Sequence, residues 1–256
     1  MAGRVSSQAR PRGRHALRSR AFADELVRDA GLAPGSLVLD LGAGGGVITG
    51  ALVAAGARVR AVELDQAALH QLTTRFAGDR RVDVVQEDAT TVALPGEPFA
   101  VVANLPFAHG TAILRRLLGD PAVRLVQLDA IVEWGLAAKR TAVWPSTVLG
   151  CVWGAWHELE LIRRVPRRCF APPPNVDAAV LRATRRAEPL VPEGEARRYE
   201  ALLRRAFDAQ APLDRLLPRR VVHRVAHEHG FDPQARARDL DARQWACLHR
   251  AIGSRP

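Results

Sequence analysis

The sequence predicts an α/β protein, with a mainly parallel sheet followed by a small all-helical region. Between residues 15 and 187, short apolar runs of strand length alternate with segments of helical periodicity. Several of these runs end directly in glycine, an acid or an amide, as strands do at the ligand-binding edge of an open α/β sheet. From residue 188 onward only helical periodicity remains. We therefore expect a catalytic domain over residues 15–187 and a helical domain over residues 188–256.

The charge of the chain indicates a nucleic-acid partner. The formal net charge is +10 over 256 residues, and Lys139 is the only lysine. A genome rich in G and C explains arginine in place of lysine, but it does not explain the excess of bases over acids. Residues 1–14 contain four arginines and no acid, so we interpret them as a basic arm that contacts phosphates.

Other classes of protein are disfavoured. No apolar run approaches the roughly 20 residues that cross a bilayer, and the N-terminus lacks the apolar core of a signal peptide, so a cytoplasmic location is expected. Cys151, Cys169 and Cys247 form no CxxC pair, and His223 and His227 have no further ligand in register. We expect no metal, no membrane contact and a monomer.

The first strand and its loop favour a nucleotide-like ligand. Helical periodicity over residues 15–30 precedes a buried strand at residues 37–41. A glycine loop containing Gly42 and Gly44 follows, and then a helix over residues 47–55. Glycines let backbone N–H groups approach a ligand closely, but such a loop is a weak signal alone. The spacing fits neither a P-loop nor a dinucleotide fingerprint, so we expect a nucleoside without a pyrophosphate, such as S-adenosylmethionine.

The next two strands end in acids. The strand at residues 58–62 is followed by Glu63, and after a helix over residues 66–76 the strand at residues 82–86 is followed by Asp88 and Ala89. An acid roughly 20 positions past the glycines is placed to accept hydrogen bonds from ribose hydroxyls. Asp88 can accept from an adenine amino group, with Ala89 beside the ring. An acid at a single strand end is more often a surface charge. Because glycines, Glu63 and Asp88 follow three successive strands, a shared ligand site is favoured.

A fourth apolar run, residues 99–103, leads into Asn104, Leu105, Pro106 and Phe107. The Asn104 side-chain oxygen and the Leu105 carbonyl are two acceptors for an exocyclic amine, and Pro106 stiffens the turn between them. Phe107 offers a flat face on which an extruded base can stack. These four residues form the predicted catalytic motif.

The remaining elements follow in order, and each is predicted from apolar periodicity. Helices are expected over residues 111–118, 133–140, 196–208, 221–229 and 242–252. Strands are expected over residues 125–132, 152–165 and 178–182, with a stiff, proline-rich connector at residues 170–177.

Five motifs together resemble the ribosomal RNA adenine N6-methyltransferases, a family that includes the small-subunit dimethyladenosine transferases and the Erm macrolide-resistance enzymes. The matching motifs are residues 40–46, Glu63, residues 87–89, residues 104–107 and residues 170–177. The resemblance spans nearly the whole chain. It implies a Rossmann-like, S-adenosylmethionine-dependent methyltransferase sheet with a helical RNA-binding domain.

The resemblance also implies a role for each matching residue. His15 and Leu17 would contact the methionine part of the cofactor, Gly42 and Gly44 would line its pocket, and Asn104 would face both cofactor and target. Glu63 would hold the ribose, and Asp88 with Ala89 the adenine. The expected RNA contacts are Arg10, Arg12, Arg14, Lys139 and Arg140.

Phe107 and the sequence Val132-Glu-Trp-Gly135 resemble the Erm branch, which implies methylation of one adenine of 23S rRNA near the peptidyl-transferase region and resistance to macrolides, lincosamides and streptogramin B. Ala16 stands where relatives usually have an aromatic residue, which leaves the target-side wall of the pocket open. The loop Ala108-His109-Gly110 also departs from the family, which leaves open whether one or two methyl groups are added. Two alternatives remain: housekeeping 16S rRNA dimethylation, and a non-catalytic RNA-binding assembly or transcription factor.

Overall fold

The structure is a computed structural model that describes residues 15–253, so the basic arm at 1–14 lies outside the described residues. The strands are β1 (Ala16–Leu17), β2 (Leu37–Leu41), β3 (Arg58–Val62), β4 (Val82–Val85), β5 (Phe99–Asn104), β6 (Leu125–Glu133), β7 (His157–Val165), β8 (Phe170–Ala171) and β9 (Ala178–Arg185). The helices are α1 (Arg20–Ala30), α2 (Val47–Ala54), α3 (Gln66–Arg75), α4 (Gly110–Leu118), α5 (Trp134–Thr141), α6 (Val148–Trp156), α7 (Ala196–Ala209), α8 (Leu213–Leu216), α9 (Arg219–His229) and α10 (Ala242–Gly253).

Seven strands form one sheet in the order β4-β3-β2-β5-β6-β9-β7. Strands β2 to β6 are mutually parallel, whereas β9 runs antiparallel to both β6 and β7. The carboxyl ends of the five parallel strands therefore meet at one edge. Val165, at the end of β7, pairs with Ala178 at the start of β9, so the last residues of β7 reach the same edge.

Side-chain caps explain where several helices begin. The Ser19 hydroxyl accepts a hydrogen bond from the Phe22 amide at 3.2 Å, and the Asp65 carboxylate accepts one from the Ala68 amide at 3.0 Å. Thr147 caps α6 in the same way. Gly31 ends α1 with a φ of +62°, a left-handed conformation that glycine adopts at little cost.

Two predicted elements were wrong at their starts. Residues 15–19 are not helical: Ala16 and Leu17 form β1, which pairs antiparallel with β8, more than 150 residues away along the chain. The first part of the strand predicted at 152–165 belongs to helix α6, which ends at Trp156. Nearly every residue of α6 is buried, so the helix has no polar face to reveal a period of 3.6.

The helical region packs on the far side of α6 and shares its core with the sheet. Trp156, Tyr199 and Trp245 are fully buried within one cluster that also contains sheet residues. The Trp156 indole donates to the Val191 carbonyl at 2.9 Å, and the Tyr199 ring lies 6.1 Å away edge-on. The boundary near residue 187 stays a prediction. No helix among residues 15–253 is long and apolar enough to span a membrane.

Candidate functional site

A cavity of about 530 Å³ opens at the carboxyl edge of the parallel strands. Its walls contain every residue predicted to bind the cofactor or to act in catalysis: His15, Leu17, Gly42, Gly44, Glu63, Asp88, Ala89, Asn104, Leu105, Pro106 and Phe107. These residues come from five separate segments of the chain. The topology of the seven-stranded sheet brings four of these segments together, since each follows a strand that ends at this edge. The fifth segment, residues 15–17, is placed by the separate pairing of β1 with β8.

Two glycines of the glycine loop have positive φ and lie close to neighbouring side chains. Gly42 has a φ of +77°, and a Cβ there would lie 3.4 Å from the ring carbons of Pro106, so the loop lies directly against the catalytic motif. Gly46 has a φ of +76°, and its Cβ would come within 2.6 Å of the Phe76 ring and 2.7 Å of Leu72. Both positions require glycine.

Glu63 is held in the cavity wall by backbone amides. One carboxylate oxygen accepts from the Gly44 amide at 2.8 Å, and the other accepts from the Asp65 amide at 2.7 Å. The side chain is only 7% exposed, so these bonds compensate part of its desolvation. They also fix the direction in which the carboxylate faces the cavity.

Asp88 is exposed and follows β4, the strand next to the one that precedes Glu63. Its Oδ1 accepts from both the amide and the hydroxyl of Thr90, at 2.7 and 2.8 Å. The hydrogen bond from the Thr90 amide has the larger effect and the one from its hydroxyl the smaller. Together they lower the pKa of Asp88 below its usual value, so the side chain is ionised at neutral pH. Ala89 follows it and adds a small apolar surface to the wall.

Asn104 has one satisfied end and one unsatisfied end. Its Nδ2 donates to the His15 carbonyl at 2.8 Å, which sets the orientation of the amide. Its Oδ1 is buried and has no hydrogen-bond partner among residues 15–253. A buried acceptor without a donor is costly, and such groups are typical of sites that bind a donor from a ligand.

Phe107 is half-buried and is supported by two other rings. Its centroid lies 5.6 Å from that of His15 and 6.3 Å, edge-on, from that of Phe170. His15 is anchored in turn, since its Nδ1 lies 3.0 Å from the Pro172 carbonyl oxygen. The β1–β8 pair therefore positions both Phe107 and the Asn104 amide, a role that sequence reasoning missed because the contact uses a backbone carbonyl.

Asp40, for which sequence reasoning found no individual role, lies buried beneath the glycine loop. Thr49 donates to its Oδ2 at 2.7 Å, and its Oδ1 has no partner within residues 15–253. Burial raises the pKa of Asp40 to about 7, and the nearby Glu63 charge adds to the effect. Its position two residues before Gly42, within the buried strand β2, was the available signal.

The predicted RNA contacts lie elsewhere. Arg10, Arg12 and Arg14 are outside the described residues, and Lys139 is exposed in the last turn of α5. Arg140 is half-buried, with its guanidinium 5.7 Å from the Trp153 ring centroid and 3.3 Å from the Thr147 hydroxyl. Arg140 therefore has a structural contact. Residues 15–253 contain no cluster of three His, Cys, Asp or Glu side chains that could hold a metal.

Comparison with known proteins establishes the family. The family pattern described as ribosomal RNA adenine dimethylase matches residues 7–252. The chain belongs to this family. The family assignment confirms the prediction of an rRNA adenine N6-methyltransferase.

Named relatives fall in two groups. The mycinamicin-resistance protein MyrB of Micromonospora griseorubida is 37% identical over 86% of this chain and 72% of its own length. The ribosomal RNA small subunit methyltransferase A of Synechococcus sp. (strain JA-3-3Ab) is 34% identical over 92% of this chain and 90% of its own. Sequence identity alone therefore does not separate the two branches.

Structural comparison confirms the predicted fold. The crystal structure of the 23S rRNA methyltransferase ErmE superposes with a TM-score of 0.81 at 30% identity, covering 93% of this chain and 99% of the other. A dimethyladenosine transferase from Plasmodium falciparum gives a TM-score of 0.71 at 17% identity, which supports the fold alone. In both comparisons the helical region is part of the match, because more than nine tenths of this chain is covered.

Proposed function

We propose that this enzyme transfers one or two methyl groups from S-adenosylmethionine to N6 of a single adenine in 23S rRNA, near the peptidyl-transferase region, and so confers resistance to macrolides, lincosamides and streptogramin B. The observation that carries the chemistry is the buried, unpartnered Oδ1 of Asn104, whose direction is set by the His15 carbonyl. The 23S target and the resistance are supported by the similarity to ErmE and MyrB.

The cavity fits a cofactor composed of a nucleoside and a cationic tail. Gly42 and Gly44 present backbone rather than side chains, and Glu63 and Asp88 present carboxylates for hydroxyl and amine donors. Ile48, Val62 and Leu64 supply apolar walls for a ring system. When bound, S-adenosylmethionine supplies an electrophilic methyl group attached to a positively charged sulfur.

The catalytic motif holds and polarises the target amine. Asn104 Oδ1 and the Leu105 carbonyl accept hydrogen bonds from the two N6 hydrogens, which draws the amine toward tetrahedral geometry and makes its lone pair available. As the new N–C bond forms and the S–C bond breaks, the amine becomes cationic and its proton becomes acidic enough to leave to water. Phe107 stacks on the base and returns part of the cost of extrusion.

Housekeeping methylation of small-subunit RNA is the second candidate, because the Synechococcus small-subunit enzyme matches a larger share of this chain than MyrB does. The two are separated by incubating the purified protein with labelled S-adenosylmethionine and protein-free 23S or 16S rRNA. Label at one 23S adenine, mapped by digestion and mass spectrometry, supports the proposal. Label only in 16S rRNA selects the second candidate, and label in neither RNA overturns both.

Resistance is tested in a macrolide-sensitive bacterium that expresses the gene. The wild-type protein should raise the inhibitory concentrations of a macrolide, a lincosamide and streptogramin B together, because the methylated adenine lies where all three bind. The Asn104→Ala variant, expressed at the same level, should leave the strain sensitive. Resistance that persists in that variant would contradict a mechanism by methylation.

A further inference from the structure

Trp144 is a large apolar side chain that the fold leaves in solvent. Its relative exposure is 62%, the highest among the exposed large hydrophobic residues, and the adjacent Val143 is 49% exposed. In contrast, Trp153, Trp156 and Trp245 are fully buried. Among residues 15–253, Trp144 makes no aromatic or cation–π contact, so its indole faces are available to a ligand.

The loop that carries Trp144 is held at its C-terminal side. The next residue but one, Ser146, donates its amide to the Arg238 carbonyl at 2.8 Å, and Thr147 caps α6 by accepting from the Gly150 amide at 3.0 Å. Ser146 is buried, whereas Trp144 is not. The loop thus connects the sheet region to the helical region. Its C-terminal end is held by hydrogen bonds, while the Trp144 indole is exposed.

Exposed cations lie in the two segments that flank or contact this loop. Lys139 is exposed in the last turn of α5, and Arg236 and Arg238 are exposed in the segment to which Ser146 binds. We call Lys139, Val143, Trp144, Arg236 and Arg238 the junction surface.

We propose that the junction surface binds the rRNA substrate and that Trp144 stacks on an unpaired base outside the catalytic cavity. This inference rests on the proposed function, since it takes rRNA as the partner. An aromatic ring among arginines and lysines is the arrangement that binds unpaired nucleotides, because the cations hold the phosphates while the ring stacks on a base. A second copy of this basic chain would meet the same cations and be repelled.

The stacking contact is tested with Trp144→Ala and Trp144→Phe. With a 23S rRNA fragment, Trp144→Ala should raise Kd and KM ~10-fold and leave kcat at saturating RNA unchanged, because the indole does not touch the reacting atoms. Trp144→Phe should restore most of the affinity. Val126→Ala, which removes another exposed apolar side chain on β6, is the matched control and should bind RNA as the wild type does.

Fluorescence gives a readout that does not depend on methylation. RNA should quench the tryptophan emission of the wild type, and Trp144→Phe should lose most of that quenching while it still binds RNA. Wild-type affinity and KM in Trp144→Ala would overturn the inference, as would an equal loss in Trp144→Phe. A change in the monomer–dimer equilibrium of Trp144→Ala with unchanged RNA affinity would assign the surface to self-association instead.

The failure of this inference is distinguishable from the failure of the proposed function. If the wild type methylates 23S rRNA and Trp144→Ala does so equally well at limiting RNA, only the inference fails. If the wild type methylates neither rRNA, the proposed function fails whatever the Trp144 variants show.

Discussion

Two halves of the molecule use polar side chains differently. In the parallel half, formed by β2 to β5, the polar residues at the strand ends are held by backbone or neighbouring groups and face the cavity. In the mixed half, formed by β6, β7, β9 and the later helices, ionisable side chains pair with one another where at least one partner is largely buried. Among these pairs are Arg182–Asp129, Arg185–Glu193, Arg186–Glu158 and His249–Glu195, with N···O distances of 2.6 to 2.7 Å. The parallel half has pairs such as Arg60–Asp83, but both side chains there are exposed and lie outside the cavity.

The difference shows how a site can be prepared for a ligand. Gly44 and Asp65 amides orient Glu63, the Thr90 amide orients Asp88, and the His15 carbonyl orients Asn104. A backbone partner fixes a side chain without a competing side-chain charge. In the pairs of the mixed half, each side chain is instead satisfied by the other. These pairs connect strands and helices, and none of their residues lines the cavity.

The largest effect expected in the parallel half concerns Asn104. Replacing it with Ala removes the preorganised acceptor, so the rate of methylation in single turnovers should fall ~10²–10³-fold. Cofactor affinity, measured by calorimetry, should fall much less. The matched control is Asn175→Ala, which removes an exposed asparagine outside the cavity and should stay within about threefold of the wild type. Near-normal methylation by Asn104→Ala would refute the proposed mechanism.

The parallel half is also the half that sequence reasoning described best. Its strands end within one residue of the predicted positions, because the apolar runs of the strands stop at a glycine or a polar residue. Glu63, Asp88 and Asn104 could be assigned to one site because the ends of such strands converge. What the sequence could not show was the role of the His15 carbonyl, since that contact depends on the pairing of β1 with a segment distant along the chain.

The mixed half exposed the limits of periodicity. Helix α6 is buried on all sides and rich in Val and Trp, which also favour strands, so its pattern resembled the strand that follows it. Arg140, which the family resemblance assigns to RNA, stays a predicted contact, and its guanidinium also lies 5.7 Å from the Trp153 ring centroid. Nothing in the sequence indicated this packing contact.

The two halves should respond oppositely to pH. In the parallel half, burial raises the pKa of Asp40 to about 7, so its contribution to stability is complete below pH 3.8 and is lost as the pH rises to 7. In the mixed half, burial lowers the pKa of His157 to about 4, with nearby Arg185 and Arg186 adding to the effect. The His157 contribution is complete above pH 6.5 and is lost as the pH falls to 4.

Single variants should separate these contributions. Each is on the order of 3 kcal/mol in the free energy of unfolding, and between pH 4 and 6.5 they have opposite slopes. Relative to the wild type, Asp40→Asn should become less stable toward acid, and His157→Leu less stable toward neutral pH. Urea unfolding at several pH values measures both slopes. If the difference in unfolding free energy between variant and wild type does not change with pH, neither side chain titrates as its burial indicates.

The next largest effect is a difference in the free energy of unfolding between two alanine variants of the glycine loop. Gly44 and Gly46 both have positive φ, at +56° and +76°, so alanine strains either position by ~1 kcal/mol. A Cβ at Gly44 meets nothing within 4 Å, whereas one at Gly46 overlaps the Phe76 ring and Leu72. Gly46→Ala should therefore lower the free energy of unfolding by ~2 kcal/mol more than Gly44→Ala. Equal losses would mean that α3 moves aside freely.

The smallest effect is expected at Phe107, where the two halves meet. Phe107→Ala should lower kcat/KM for RNA ~10-fold, because one face of the extruded base loses its stacking partner, while cofactor affinity changes less. Phe107→Tyr keeps the ring between His15 and Phe170 and should retain nearly full activity. Equal losses of RNA and cofactor binding in Phe107→Ala would mean that the ring supports the cavity wall and does not stack on the target base. Recognition of the target would then depend on Asn104 alone.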